Sequence, residues 1–201
     1  MNTSYSKIKL FLALIFTIVL FNQLSFAACI ECEEVAKGKI PLKFLDKSIK
    51  TLPSGVIIWD NKEAMQALKN KSGKYLWVDT RPASFLKLGT IKKAVNIVCD
   101  LKGINIAKSD MPHAMSKERI KAESKKIDPD INAVTIIFFC QGPKCHRSYD
   151  AALRAVNDYN LNPSKIVWYR DGYPNLEKYI LNNPKLKRKI SKYLKGDVVN
   201  K

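Results

Sequence analysis

Val-Thr-Ile-Ile-Phe-Phe, residues 134–139, is the stretch that most restricts what this chain can fold into. A strand with one wet face alternates apolar and polar residues, but this run is almost continuously apolar and has to be covered on both sides. Tyr75–Asp79 and Ile166–Tyr169 share that character, and shorter strand-like pieces occur at Val56–Trp59 and Ala94–Val98. Helical patterns separate them. Asp60 or Asn61 is placed to cap a helix through Lys69, with Ala64, Met65 and Leu68 at helical spacing. Ser116–Lys126 reads as a polar helix, and Tyr173–Leu181 as another. Ala151, Ala152, Ala155 and Val156 mark an amphipathic helix that starts near His146 or Arg147. Short helical pieces are predicted at Leu42–Ile49 and Pro82–Leu88, while residues 101–115 show no clear period. Alternating strands and helices, with the strands buried on both faces, predict an α/β fold: a central parallel sheet of about five strands with helices on both faces.

The 201 residues provide for one well-buried domain and leave little room for a second. Residues 1–27 read as a secretory signal peptide: Lys7 and Lys9 precede the apolar core Leu-Phe-Leu-Ala-Leu-Ile-Phe-Thr-Ile-Val-Leu-Phe, and Ser25-Phe26-Ala27 supplies a small-residue cleavage site. The apolar core is short for a membrane span; a retained N-terminal anchor is the alternative. Phe26-Ala27-Ala28-Cys29 also approximates a lipoprotein cleavage box, which would put a lipid on Cys29. The expected address is the periplasm. After the signal peptide we expect a lead-in over 28–54 containing a Cys-x-x-Cys, the domain proper over 55–184, and a basic C-terminal tail over 185–201.

Export bears on the five cysteines, because disulfides persist outside the cytosol. Cys29 and Cys32 form the Cys-x-x-Cys, Cys99 stands alone, and Cys140 and Cys145 share one loop. A zinc site needs four ligands, and only His113 and His146 could add to the cysteines as histidine ligands, so the Cys-x-x-Cys is weak evidence for a metal. The formal charge is +17, and about +15 without Lys7 and Lys9. Part of it is concentrated in Lys185, Lys187, Arg188, Lys189, Lys192 and Lys195, without the interleaved aromatics that nucleic-acid binding would want. No nucleic-acid partner is expected. A solvated basic face is the simplest reading, with attraction to an anionic membrane surface, an anionic substrate or an acidic partner beside it.

The chemistry is concentrated after Phe139. Cys140 follows the most apolar strand, and ligands of open parallel sheets bind beyond the carboxyl ends of strands. The loop Gln141-Gly142-Pro143-Lys144-Cys145 then turns the chain into a helix beginning near His146 or Arg147. Unpaired backbone N–H groups and the helix dipole favour an anion there, and a thiolate at that mouth is stabilised and nucleophilic. The expected site is therefore Cys140 as nucleophile, with Gln141, Gly142, Lys144, His146 and Arg147 as the anion-binding surround. Asp79 and Arg81 are expected to organise the fold, and His113 to lie in a loop or at the surface.

Four segments, in order, resemble the rhodanese-like sulfurtransferases. Tyr75-Leu76-Trp77-Val78-Asp79-Thr80-Arg81 looks like the family's strand followed by Asp-x-Arg. Gly89-Thr90-Ile91-Lys92-Lys93-Ala94-Val95-Asn96-Ile97 is similar to its Gly-His-Ile-Pro-Gly-Ala-x-Asn-Ile segment, with Thr90, Lys92 and Lys93 departing from it. Phe138-Phe139-Cys140 with Arg147-Ser148-Tyr149-Asp150-Ala151-Ala152 resembles the active-site loop and its helix, and Trp168–Pro174 the closing strand and turn, with Leu176 where an aromatic is common.

The resemblance implies a single rhodanese-like domain and a sulfurtransferase that requires no metal or organic cofactor. Cys140 would take sulfane sulfur from a small anionic donor such as thiosulfate, hold it as a persulfide, and pass it to a thiol or protein acceptor. The loop departs from the family: six residues separate Cys140 from Arg147, more than in the sulfurtransferases or in the related phosphatases and arsenate reductases. A Cys-dependent phosphatase or arsenate reductase on the same cradle therefore stays open, as does a thiol–disulfide or persulfide-binding module. Cys145 could block Cys140 as a disulfide, resolve a persulfide on it, or be an ordinary loop thiol.

Overall fold

Strands β1 (Ile57–Trp59), β2 (Tyr75–Asp79), β4 (Val95–Asn96), β5 (Thr135–Phe139) and β6 (Ile166–Tyr169) form one five-stranded sheet in the order β1-β6-β5-β2-β4. All four neighbouring pairs are parallel. The computed structural model describes residues 40–99 and 108–200. The expected signal segment, Cys29 and Cys32, and residues 100–107 lie outside the described residues.

The apolar runs face two cores because consecutive strand residues point to opposite sides. Leu76, Val78, Ile136, Phe138, Ile166 and Trp168 enter one core, while Trp77, Ile137, Phe139, Val167 and Tyr169 enter the other. Helices α2 (Lys117–Lys125) and α3 (His146–Asn157) cover the first face through Ile120, Ala151, Ala152 and Ala155. Helices α1 (Asn61–Lys69) and α4 (Gly172–Leu181) cover the second through Ala64, Met65, Leu176 and Ile180. The alanines of α3 let it approach closely enough for Tyr149 to meet Trp168 edge-on at 5.2 Å, while Trp168 Nε1–H donates to Ser148 Oγ at 3.2 Å.

Local signals set the helix starts. Asp60 is the N-cap of α1, and its N–H donates to Glu63 Oε2 at 3.0 Å, as in a capping box. Ser116 caps α2, its Oγ accepting from the Arg119 N–H at 3.1 Å. The pieces expected at Leu42–Ile49 and Pro82–Leu88 are single 3₁₀ turns at Leu42–Leu45 and Ala83–Leu86.

The segment expected as a basic tail, 185–201, is folded over its described residues. Helices α5 (Pro184–Lys187) and α6 (Ile190–Tyr193) lead into β7 (Leu194–Lys195), which pairs antiparallel with β3 (Thr90–Ile91). Leu186, Leu194 and Val198 are buried in the second core, with Ile190 partly so. These four apolar residues recur every fourth position among the lysines, so the helical turns direct them inward and leave Lys185, Lys187, Lys189, Lys192 and Lys195 exposed. The β3–β7 pairing joins two segments, 82–98 and 178–196, that contain no Asp or Glu. Among the described residues no helix is long and apolar enough to cross a membrane.

Candidate functional site around Cys140

Cys140 follows β5 at the carboxyl end of the sheet's central strand. It is bonded to Cys145 by a disulfide, with Cα atoms 6.2 Å apart. Cys145 is the N-cap of α3, and its N–H donates to Gly142 O at 3.0 Å, closing the turn between the two sulfurs. The following connection packs on this turn from outside. Tyr173 N–H donates to Cys140 O at 2.9 Å. Gly172, at φ +70°, lies so close that a Cβ there would fall 2.6 Å from both Cys140 O and Gly142 N. Only glycine satisfies both the positive φ and the contact. As a result Cys140 has 0% and Cys145 3% exposure. The open cradle expected from the sequence is, in the disulfide-bonded chain, a closed turn.

The residues expected around the nucleophile lie together in this turn but differ in accessibility. Lys144 is exposed, Gln141 and Arg147 are half-buried, and Gly142 is buried. His146, whose direction the sequence left open, begins α3 at 2% exposure. Its position three residues before buried Tyr149 puts it on the inward face of the helix.

Two buried Asp–Arg pairs hold the neighbouring strand ends. Asp79 ends β2 and is 0% exposed. Arg81 donates to it through Nε at 2.9 Å and Nη2 at 2.6 Å, and again through Nη2 to Gly89 O at 2.8 Å. Thr90 Oγ1–H donates to Asp79 Oδ2 at 2.6 Å, and Asn96 Nδ2–H bridges the carbonyls of Asp79 and Arg81 at 3.0 and 2.9 Å. The Arg81 guanidinium also lies 4.6 Å from the centre of the Tyr173 ring. Burial pushes the Tyr173 phenol up and the Glu177 carboxylate adds to it, so it remains protonated at neutral pH. Between this network and the cysteine, the N–H and Oγ1–H of Thr80 both donate to Phe139 O, at 3.0 and 2.9 Å, and pin the residue before Cys140.

The second pair escaped the sequence reading. Arg170, 1% exposed at the end of β6, donates from Nε and Nη2 to Asp60 at 2.8–3.0 Å and from Nη1 to the carbonyls of Phe44 and Asp46. Lys50 Nζ adds a contact to Asp60 at 2.8 Å. Burial alone would raise the Asp60 carboxyl, but the hydrogen bonds and charges of Lys50 and Arg170 outweigh it and hold the group below its usual value. One signal was visible in advance, an arginine directly after a four-residue strand with no local acid spaced to pair with it except Asp171.

Among the described residues no group of three or more His, Cys, Asp or Glu is arranged to hold a metal. A shallow cleft at the opposite, amino end of β5 and β6, bordered by Ile120, Ser124, Val134 and Ile166, contains no cysteine, histidine or carboxylate.

No curated protein matches the chain. Several solved structures are similar in fold. The BH2092 protein from Bacillus halodurans is 17% identical, covering 70% of this chain and 77% of that one, with a TM-score of 0.44. The As-Sb reductase from Leishmania major is 14% identical over 63% of this chain and 80% of its own, TM-score 0.46. Ygr203w from Saccharomyces cerevisiae, described as a homolog of single-domain rhodanese and the Cdc25 phosphatase catalytic domain, is 15% identical over 71% and 89%, TM-score 0.42. A family model described as the rhodanese-like domain matches residues 60–178, more than half of the chain, from the cap of α1 across both Asp–Arg pairs and the Cys140 turn. The chain belongs to the rhodanese-like domain family.

Proposed function

We propose that this protein is an exported sulfurtransferase that carries sulfane sulfur on Cys140. The observation that carries the reading is the position of Cys140, between the end of the central strand and the start of a twelve-residue helix, inside the segment matched by the family model. In the reduced protein the Cys140 thiolate attacks the outer sulfur of a donor such as thiosulfate. The S–S bond of the donor breaks, sulfite departs with its electron pair, and Cys140 is left as a perthiolate. The N-terminus of α3 stabilises the negative charge before and after the transfer. Exposed Lys144 and half-buried Arg147 favour an anionic donor over a neutral one. A thiol or a protein cysteine then accepts the sulfur. The periplasmic address expected from the N-terminal segment is an environment in which the Cys140–Cys145 bond would persist.

The test is a thiosulfate:thiol assay on protein reduced beforehand, with intact-mass detection of the sulfur adduct. The expected adduct gains the mass of one sulfur atom and is absent in Cys140→Ser. If reduced wild type gains none, or Cys140→Ser gains one, Cys140 is not the carrier.

A further inference from the structure

We propose that Cys145 is a second nucleophile, which expels the carried sulfur as hydrosulfide and so couples the protein to a dithiol reductant. The inference rests on the reading of Cys140 as sulfur carrier. It starts from the covalent bond between Cys140 and Cys145, made within one closed turn. Three backbone features bring the sulfurs together: the Cys145 N–H to Gly142 O, the Tyr173 N–H to Cys140 O, and Gly172 pressed against both Cys140 and Gly142. None of these requires the disulfide, so the reduced turn retains contacts that direct Cys145 towards Cys140 Sγ.

That geometry selects which sulfur of a Cys140 persulfide is attacked. The turn brings Cys145 Sγ into a bond with Cys140 Sγ, the atom that becomes the inner sulfur of a Cys140 persulfide. Cys145 is the N-cap of α3, where the helix N-terminus favours its thiolate. The thiolate of Cys145 attacks Cys140 Sγ and the Cys140–Cys145 bond forms. The bond from Cys140 Sγ to the outer sulfur breaks, and its electron pair leaves with the outer sulfur, which takes a proton from water to become hydrosulfide. The outer sulfur is thereby reduced by two electrons, and the two cysteines are oxidised to the disulfide. A dithiol must then reduce the disulfide by exchange before another sulfur can be loaded, because Cys140 in the disulfide has no thiolate to attack a donor. The protein's co-substrate is on this reading a dithiol, which regenerates the site, and its product is sulfide.

The experiment loads the reduced full chain with one equivalent of thiosulfate after the reductant has been removed, and follows free sulfide and intact mass together. Wild type is expected to release one equivalent of sulfide per chain and finish at the mass of the disulfide form. Cys145→Ser is expected to retain the sulfur adduct and to lose sulfide release until an external thiol is added; that adduct also shows that the variant is folded and loaded. If wild type keeps its adduct and releases no sulfide, Cys145 is not a resolving nucleophile, while Cys140 stands as the carrier. Sulfide release from Cys145→Ser at the wild-type rate overturns the inference in the same way. If neither wild type nor Cys145→Ser takes up sulfur or releases sulfide, the carrier reading itself fails and the inference with it.

Discussion

Asp79 and Phe139 are partners in register at the ends of adjacent strands, and the chain leaves them in different ways. After Asp79 come Thr80 and Arg81, both buried, and the acid is matched by the Arg81 fork, the Arg81 backbone N–H and the Thr90 hydroxyl. After Phe139 comes a turn closed by backbone contacts and by a bond that thiol exchange can open. The first arrangement works only while every partner is present, since a buried charge that loses its complement is costly. The second is held by backbone contacts and two sulfurs, so it can change state without unpairing a charge. A rigid strand end beside a switchable one is what a sulfur carrier of this kind requires: the network positions Phe139 through Thr80, and the turn changes chemistry next to it.

This contrast leads to a ranked set of stability changes. Replacing Arg81 with Met should strand Asp79 in the core and cost about 3–5 kcal/mol in urea unfolding; a loss below about 1 kcal/mol would show that the network is not what holds this strand end. Gly172→Ala adds a methyl group against two backbone atoms at positive φ, with an expected cost of roughly 2–3 kcal/mol. It should also slow re-formation of the Cys140–Cys145 bond, and a variant that reoxidises at the wild-type rate would argue that Gly172 does not shape the turn. Reducing the disulfide should cost on the order of 2 kcal/mol, the chain-entropy expectation for so short a loop. An equal or larger loss than in Arg81→Met would reverse the contrast.

The smallest effect is a pH slope. Lys50 and Arg170 hold the Asp60 carboxyl below the ordinary value of an aspartate, so it contributes stability that is fully present above that ordinary value. The contribution is lost as pH falls through the lower, folded-state value. Unfolding measured in steps below pH 4 should show this loss in wild type and a shallower one in Asp60→Asn. Identical slopes would remove Asp60 from the acid response. Tyr173 should titrate only at strongly alkaline pH, readable from its phenolate absorbance.

Much of the sheet was legible from the residues alone. β2 and β6 have the limits predicted for them, and β5 begins one residue later than expected, at Thr135. The reason is that a strand covered on both faces needs an unbroken apolar run, which is a purely local property. Cys140 at the end of such a run was legible for the same reason. The folded C-terminal segment was harder to see, because four apolar residues spaced among lysines amount to a helical pattern only if there is a surface to receive them. β3 supplies part of that surface, from about a hundred residues earlier in the chain.

What the sequence determined by itself was the alternation of strand and helix, a cap for α1 at Asp60 or Asn61, and the placing of a cysteine between the central strand and a helix N-terminus. These follow from period, capping chemistry and burial within a few residues. The tertiary structure alone decided that Arg170 meets Asp60 across 110 positions, that His146 faces inward, and that Gly172 closes the turn over Cys140. Each of these depends on which distant backbone arrives at the same place. Packing settles that, because a buried charge must find its partner and a glycine contact has meaning only against the atoms it touches.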